Sequence, residues 1–239
     1  MSLLELHTPN GNPVSFEVRD GTNDHNVIYS ICAADEYELR GVTNLEGWAL
    51  DLGAHIGGVA LCLAVDNPGL VKVVAVEPVP MNAQLIRQAV ARCAQNLYAG
   101  VRVLENAVGA PGTTTTIRFG FRDAAGNVDH HGWVGNASMV YEAAPVEAHD
   151  ALEVTCVDLL ALKTQLGGPP AFVKVDCEGG EWPALEQIVA LDSPRVIGEW
   201  HPVLGHESNA ALVEAFESAG YTVATSGPAG GPGLFLATK

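Results

Sequence analysis

The segment Lys174-Val-Asp-Cys-Glu-Gly-Gly-Glu181 carries three carboxylates, Asp176, Glu178 and Glu181, within six residues. In an extended chain residues two apart share a face, so Lys174, Asp176 and Glu178 line one side. Like charges this close raise one another's energy unless a cation, a proton or Lys174 relieves them. A carboxylate so placed can accept the proton of a reacting hydroxyl as a general base. A plainer use also exists, because acidic side chains stabilise helix N-termini, and Glu181 is expected to serve the following helix from its first turn.

Two further positions offer a place for a ligand. Asp51-Leu-Gly-Ala-His-Ile-Gly-Gly58 follows a short apolar run and opens a helical stretch. Glycine there lets the backbone turn sharply and approach a ligand where a Cβ would collide, while the helix N-terminus offers free N–H groups. A tight turn with no ligand has the same signature. One strand later, Glu77 in Val76-Glu-Pro78 can accept hydrogen bonds from both hydroxyls of a ribose. The pair suits either a nicotinamide dinucleotide or S-adenosylmethionine. A dinucleotide fingerprint requires Gly-x-Gly-x-x-Gly, and Gly53-Ala-His-Ile-Gly57 lacks the second glycine, where a pyrophosphate would press. Asp51 adds negative charge, unfavourable beside a pyrophosphate and suitable near a methionine ammonium group. A cationic cofactor is expected over an anionic one.

The elements that must position these residues read as alternating strands and helices. Leu3–Val18 alternates apolar and polar residues around a Pro9–Pro13 turn, which predicts a β-hairpin. Asn26–Ala33 and Glu36–Arg40 are expected as short elements leading into the main fold. Strands are then expected at Trp48–Leu52, Val71–Val76, Val101–Leu104, Phe172–Val175 and Val196–Glu199. Helices are expected at Gly58–Val65, Pro80–Asn96, Asp158–Leu166, Trp182–Leu191 and Ser208–Ala219. Strands joined by helices of this length imply parallel β-α-β units. Tyr221–Thr225 and Leu234–Ala237 predict an antiparallel edge hairpin, and Thr113–Phe119 and Glu153–Val157 two more strands. Residues 120–150 break the rhythm with Gly, Asn, His and Asp, and are expected to form an insertion or lid.

Several of these motifs, in this order, resemble the FkbM family of methyltransferases. They are Asp51-Leu-Gly-Ala-His-Ile-Gly57, Val76-Glu-Pro78 with Asn82 downstream, Asn106-Ala-Val-Gly109, Val157-Asp-Leu159, Lys174-Val-Asp-Cys-Glu-Gly-Gly-Glu181 and Glu199-Trp-His201. The resemblance runs from about Trp48 to His201. It implies an α/β, Rossmann-like class I methyltransferase fold, with a mostly parallel seven-stranded sheet and helices on both faces. On that reading residues 1–239 form one domain, with 1–47 as an N-terminal hairpin and cap and 48–239 as the core. It also implies S-adenosyl-L-methionine as donor and methylation, usually at oxygen, of a small molecule such as a sugar or natural product. Asp51, Gly53, Ala54, His55 and Gly57 would line the methionine end, Glu77 the ribose, and Asn106 and Ala107 the adenine. Asp176 and Glu178 would lie near the methyl group and acceptor. The family's loop commonly has Asn where this chain has His55. His201, after a predicted strand, is a further candidate base that can equally be a structural histidine.

Bulk properties narrow the partners. Twelve Lys and Arg against 28 Asp and Glu give a net charge of -16, and no basic cluster offsets it, so nucleic-acid and anionic-membrane partners are not expected. No apolar run approaches the roughly 20 residues of a membrane span, and Met1-Ser-Leu-Leu-Glu5 lacks the pattern of a secretion signal. The five cysteines show neither Cys-x-x-Cys spacing nor an even count, which fits a reducing, cytoplasmic setting. No metal site is read. Asp129-His-His131 lacks a completing ligand set, and a hard cation bridged by Asp176 and Glu178 lacks a second group to fix it. Trp133 and Met139 suit an acceptor pocket or the packing of a lid. The competing classes are a donor-binding partner protein without turnover and a nicotinamide-dependent oxidoreductase.

Overall fold

Continuous burial along two central strands sets the architecture. In the computed structural model, which describes residues 1–121, 148–203, 205–227 and 232–239, β3 (Gly47–Leu52) and β8 (Phe172–Val175) are buried on both faces. Strands of that kind need helices above and below. Ala49, Val73, Ala75, Phe172 and Ile197 face one apolar layer, and Leu50, Leu52, Val74, Val76, Val173, Val175 and Val196 face the other.

Between these strands the chain runs through α2 (Gly58–Asp66), β4 (Leu70–Val76), α3 (Pro80–Arg92), β5 (Gly100–Leu104), β6 (Thr114–Phe121), β7 (Ala148–Thr155) and α4 (Leu159–Gln165). After β8 come α5 (Glu181–Ala190), β9 (Arg195–Trp200), α6 (Ala210–Ser218), β10 (Thr222–Thr225) and β11 (Gly233–Thr238). The seven-stranded sheet has the order β10-β11-β9-β8-β3-β4-β5. Neighbours are parallel from β9 to β5, whereas β11 runs antiparallel to both β9 and β10. From β3 the chain steps outward to β4 and β5, then returns to place β8 on the other side of β3. The carboxyl ends of β3 and β8 therefore flank a topological switch point, where open α/β sheets bind ligands.

The N-terminal segment is bound into this body. Strands β1 (Ser2–His7) and β2 (Pro13–Val18) form the expected hairpin, and α1 (Asp24–Cys32) covers α2. All nine residues of α2 are buried, and a Cβ at Gly58 would stand 2.6 Å from the Ile31 side chain. Asp66, at the C-terminal end of α2, is a poor residue for the helix dipole. It is offset by three donors of the hairpin turn, Thr8 Oγ1, Asn10 Nδ2 and Asn12 Nδ2, at 2.7–2.8 Å.

Some expectations change. Glu36–Arg40 is a turn, because Asp35 and Glu38 take positive φ and Asp35 Oδ1 accepts the Leu39 N–H at 2.7 Å. Helix α3 stops at Arg92, four residues short of the expected end. Strands β6 and β7 pair only with each other, in a separate antiparallel ribbon. The connection between them, with Asp129, His130, His131, Trp133 and Met139, lies outside the described residues, as does most of the expected lid. Among the described residues no helix is long and apolar enough to cross a membrane.

Candidate active site

The turn after β3 is built around backbone positions that only small or tolerant residues accept. Gly53 has φ +73, and a Cβ there would fall 1.7 Å from the Asp176 carbonyl oxygen, so glycine is required twice over. The N–H groups of Gly53 and Ala54 both donate to the Val76 carbonyl at 3.0 Å, tying the turn to the end of β4. Gly57, at φ +91, caps α2. Between them His55 also takes positive φ, a conformation that costs a non-glycine residue about 1 kcal/mol. It is held there by its backbone N–H, which donates to Glu77 Oε2 at 2.9 Å, and by Nε2, 3.3 Å from Asp24 Oδ1. Burial works against charge on Asp24, but His55 and the Arg19 guanidinium outweigh it and keep its carboxyl low.

Below the turn, Asp51 is fully buried. Its Oδ2 accepts the Ala60 N–H at 3.0 Å, and Oδ1 lies 3.5 Å from Lys174 Nζ. Burial pushes its carboxyl up, against Lys174. Asp51 thus faces the lysine and the start of α2. Glu77 is also buried, and it accepts from His55 N–H, Val79 N–H and Asn82 Nδ2 at 2.9–3.0 Å. These three bonds use most of the roughly four acceptor positions of a carboxylate, leaving about one. After β5, Asn106 is half-buried and gives its amide to the Thr155 carbonyl, while Ala107 is buried and donates its N–H to the same carbonyl.

Lys174 joins the turn to the acids at the end of β8. Its Nζ donates to the Gly53 carbonyl at 2.6 Å and stands 3.6 Å from Asp176 Oδ2. Tyr37, 3% exposed, donates its hydroxyl to that same oxygen at 2.9 Å, with Lys174 Nζ 5.3 Å from the ring centre. Burial alone would raise Asp176, but Lys174, His201 and Tyr37 together bring its carboxyl below the usual value. Glu178, left-handed at φ +50, presents Oε2 to His201 Nε2 at 3.4 Å. Burial, opposed by His201 and reinforced by Asp176, pushes its carboxyl up to about 7. His201 Nε2 also lies 3.8 Å from Asp176 Oδ1.

Glu181 governs the orientation of that histidine. It is 1% exposed, and its Oε1 accepts both the His201 backbone N–H at 2.7 Å and the Nδ1 proton at 3.1 Å. Its other oxygen accepts the Gly179 N–H at 3.0 Å, in the turn that leads into α5, so it ties down that turn rather than a free N–H of the helix. Burial disfavours the charged ring, but Glu181, Glu178 and Asp176 raise His201 to about 9. The three acids favour the protonated ring, the opposite of what a resting base needs. Glu36 and Glu199, each pushed up by burial and by Asp176, complete the rim.

The structure thus brings Asp51, Gly53 and Asp176 together through Lys174, and Asp176, Glu178 and His201 into one cluster. Tyr37, Glu36 and the Glu181–His201 pair have no local signature, since each contact spans at least 20 residues of sequence or sits in a turn read as an element. Glu199 was legible in principle, because alternation places it on the face of His201.

The strand order and the turn at the switch point are those of class I methyltransferases. Residues 51–223 match the model of the methyltransferase FkbM domain, and the chain belongs to that family. A search of the curated proteins gave no match. Among solved structures, a putative rRNA-methylase from Clostridium thermocellum aligns at TM-score 0.50 and 10% identity, over 86% of this chain and 94% of that one. Methyltransferase FkbM from Methylobacillus flagellatus KT aligns at TM-score 0.47 and 16% identity, over 81% of this chain. This chain spans 44% of the length of that protein. Precorrin-6y C5,15-methyltransferase from Geobacter metallireducens GS-15 aligns at TM-score 0.45 and 14% identity, over 84% of this chain and 88% of that one.

Proposed function

We propose that the chain transfers a methyl group from S-adenosylmethionine to a hydroxyl of a small molecule, at the carboxyl ends of β3, β4 and β8. The observation that carries this reading is the family match, which spans both the glycine turn and the acid cluster joined by Lys174. The residues fit such a donor. The turn takes positive φ at Gly53, His55 and Gly57, Glu77 keeps one acceptor position for a ribose hydroxyl, and the surrounding acids suit a sulfonium charge. When bound, the donor supplies an activated methyl group.

The remaining chemistry belongs to the chain. Gly53, Ala54, His55 and Gly57 shape the turn, with Asp51 holding it from below through Lys174. Asn106 and Ala107 form the floor after β5 on the adenine side. Asp176, anchored by Tyr37 and Lys174, and Glu178 stand half-buried where an acceptor hydroxyl enters, and a carboxylate there takes the proton as the hydroxyl oxygen reacts. His201 is a counter-ion to these acids rather than the base.

An acidic rim of Glu36, Asp176, Glu178 and Glu199, on a chain whose formal net charge is -16, favours neutral or cationic acceptors over nucleic acid. The test is methyl incorporation from labelled donor into panels of sugars, polyols and phenols, with RNA alongside. Labelled small-molecule product that disappears in Asp176→Ala is the expected result. Labelling of RNA instead, or turnover unchanged in Asp176→Ala, would overturn it.

A further inference from the structure

We infer that Asp176, Glu199 and His201 form a binding site for a divalent first-row metal ion that holds the acceptor hydroxyl. One ligand atom from each lies within 4.8 Å of the others, on the ends of the adjacent strands β8 and β9. Ligand atoms around such an ion sit roughly 3–4 Å apart, so a small closure of half-exposed side chains completes the set. His201 Nε2 and Asp176 Oδ1 are already at 3.8 Å.

What distinguishes this triad from a patch of surface acids is the division of labour between its atoms. Asp176 Oδ2 is occupied by the Tyr37 hydroxyl and faces Lys174, which leaves Oδ1 toward the histidine. His201 Nδ1 is occupied by the nearly inaccessible Glu181, which leaves Nε2 toward the carboxylates, and an ion bound there displaces the Nε2 proton that otherwise faces Glu178. Metal-ligating histidines characteristically give their other nitrogen to a carboxylate in this way, which fixes ring and tautomer. Two of the three ligands are thus oriented by partners that lie outside the triad. One imidazole with two carboxylates suits Mn²⁺ or a neighbouring first-row ion better than Ca²⁺. Lys174 opposes the ion's charge, but its ammonium is drawn to the Gly53 carbonyl and Asp51, on the Oδ2 side.

The role as acceptor holder rests on the methyltransferase reading; the binding itself does not. The experiment is Mn²⁺ titration of the full chain, followed by electron paramagnetic resonance, with calorimetry of S-adenosylhomocysteine on the same sample. One Mn²⁺ per chain, with pulsed spectra showing coupling to one imidazole nitrogen, is expected. Glu199→Gln, shown to be folded by circular dichroism, should lose the site, and Glu181→Gln should weaken it about tenfold or more. An all-oxygen spectrum, or binding undiminished in Glu199→Gln, would mean scattered surface acids and overturn the inference. Homocysteine-nucleoside binding without Mn²⁺ binding would overturn this inference alone and leave the proposed function standing.

Discussion

Replacing Lys174 by Met should destabilise the fold through the acid it leaves behind. The side chain of Lys174 is 5% exposed and that of Asp51 1%, at 3.5 Å from each other. Removing one partner of a buried pair commonly costs about 3–5 kcal/mol, because the other charge stays buried without compensation. The lost bond from Nζ to the Gly53 carbonyl, at 2.6 Å, adds about 1 kcal/mol and loosens the turn. For a chain of this size each kcal/mol lowers Tm by about 2–4 °C, so Lys174→Met should melt roughly 10 °C or more below wild type. Urea unfolding followed by circular dichroism gives the free energy, and the Asp51→Asn/Lys174→Met double variant should recover about half of it. A loss under about 1 kcal/mol, or a double variant as unstable as the sum of the two singles, would refute the coupling of Asp51 to Lys174.

Three further outcomes are expected. In metal-free buffer, His201 raised to about 9 stabilises the fold fully below its unfolded value of 6.5, and Glu178, raised to about 7, does so below 4.5. Stability should therefore fall as pH rises, through about 7 for Glu178 and about 9 for His201, and urea midpoints of His201→Gln should flatten the upper limb. Gly53→Ala should cost more than about 3 kcal/mol, since a Cβ there meets the Asp176 carbonyl at 1.7 Å, and a melting curve within 2 °C of wild type would contradict it. Asp66→Ala removes the acceptor of three hairpin side chains, so about 3 kcal/mol should be lost and the Asn10-Gly11 turn should become cleavable in limited proteolysis.

Local signals carried most of the architecture. Phe172–Val175 and Trp48–Leu52 are apolar runs interrupted only by Lys174 and Asp51 and flanked by turn residues, and both are central strands buried on two faces. The glycine turn was legible because Gly53 and Gly57 sit at the strand-to-helix junction that needs positive φ. What stayed hidden depends on tertiary contact. Tyr37 looked like part of a short element, yet positive φ at Asp35 and Glu38 turns the chain so that its hydroxyl reaches Asp176, 139 residues away. The charge on His201 is set by Glu181, which reads locally as a helix-start acid. Asp51 was expected near a ligand ammonium, and only the packing of Lys174 against it reveals its buried partner.

We propose that the methyl donor lies at the turn between β3 and α2 with its sugar held by Glu77. The decisive measurement is calorimetry with S-adenosylhomocysteine on wild type and on Glu77→Ala shown to be folded. One site per chain is expected in wild type, with a Kd weakened about tenfold or more in the variant through the loss of a charged hydrogen-bond partner. No heat with folded wild-type protein, or equal affinity in the two, would contradict it.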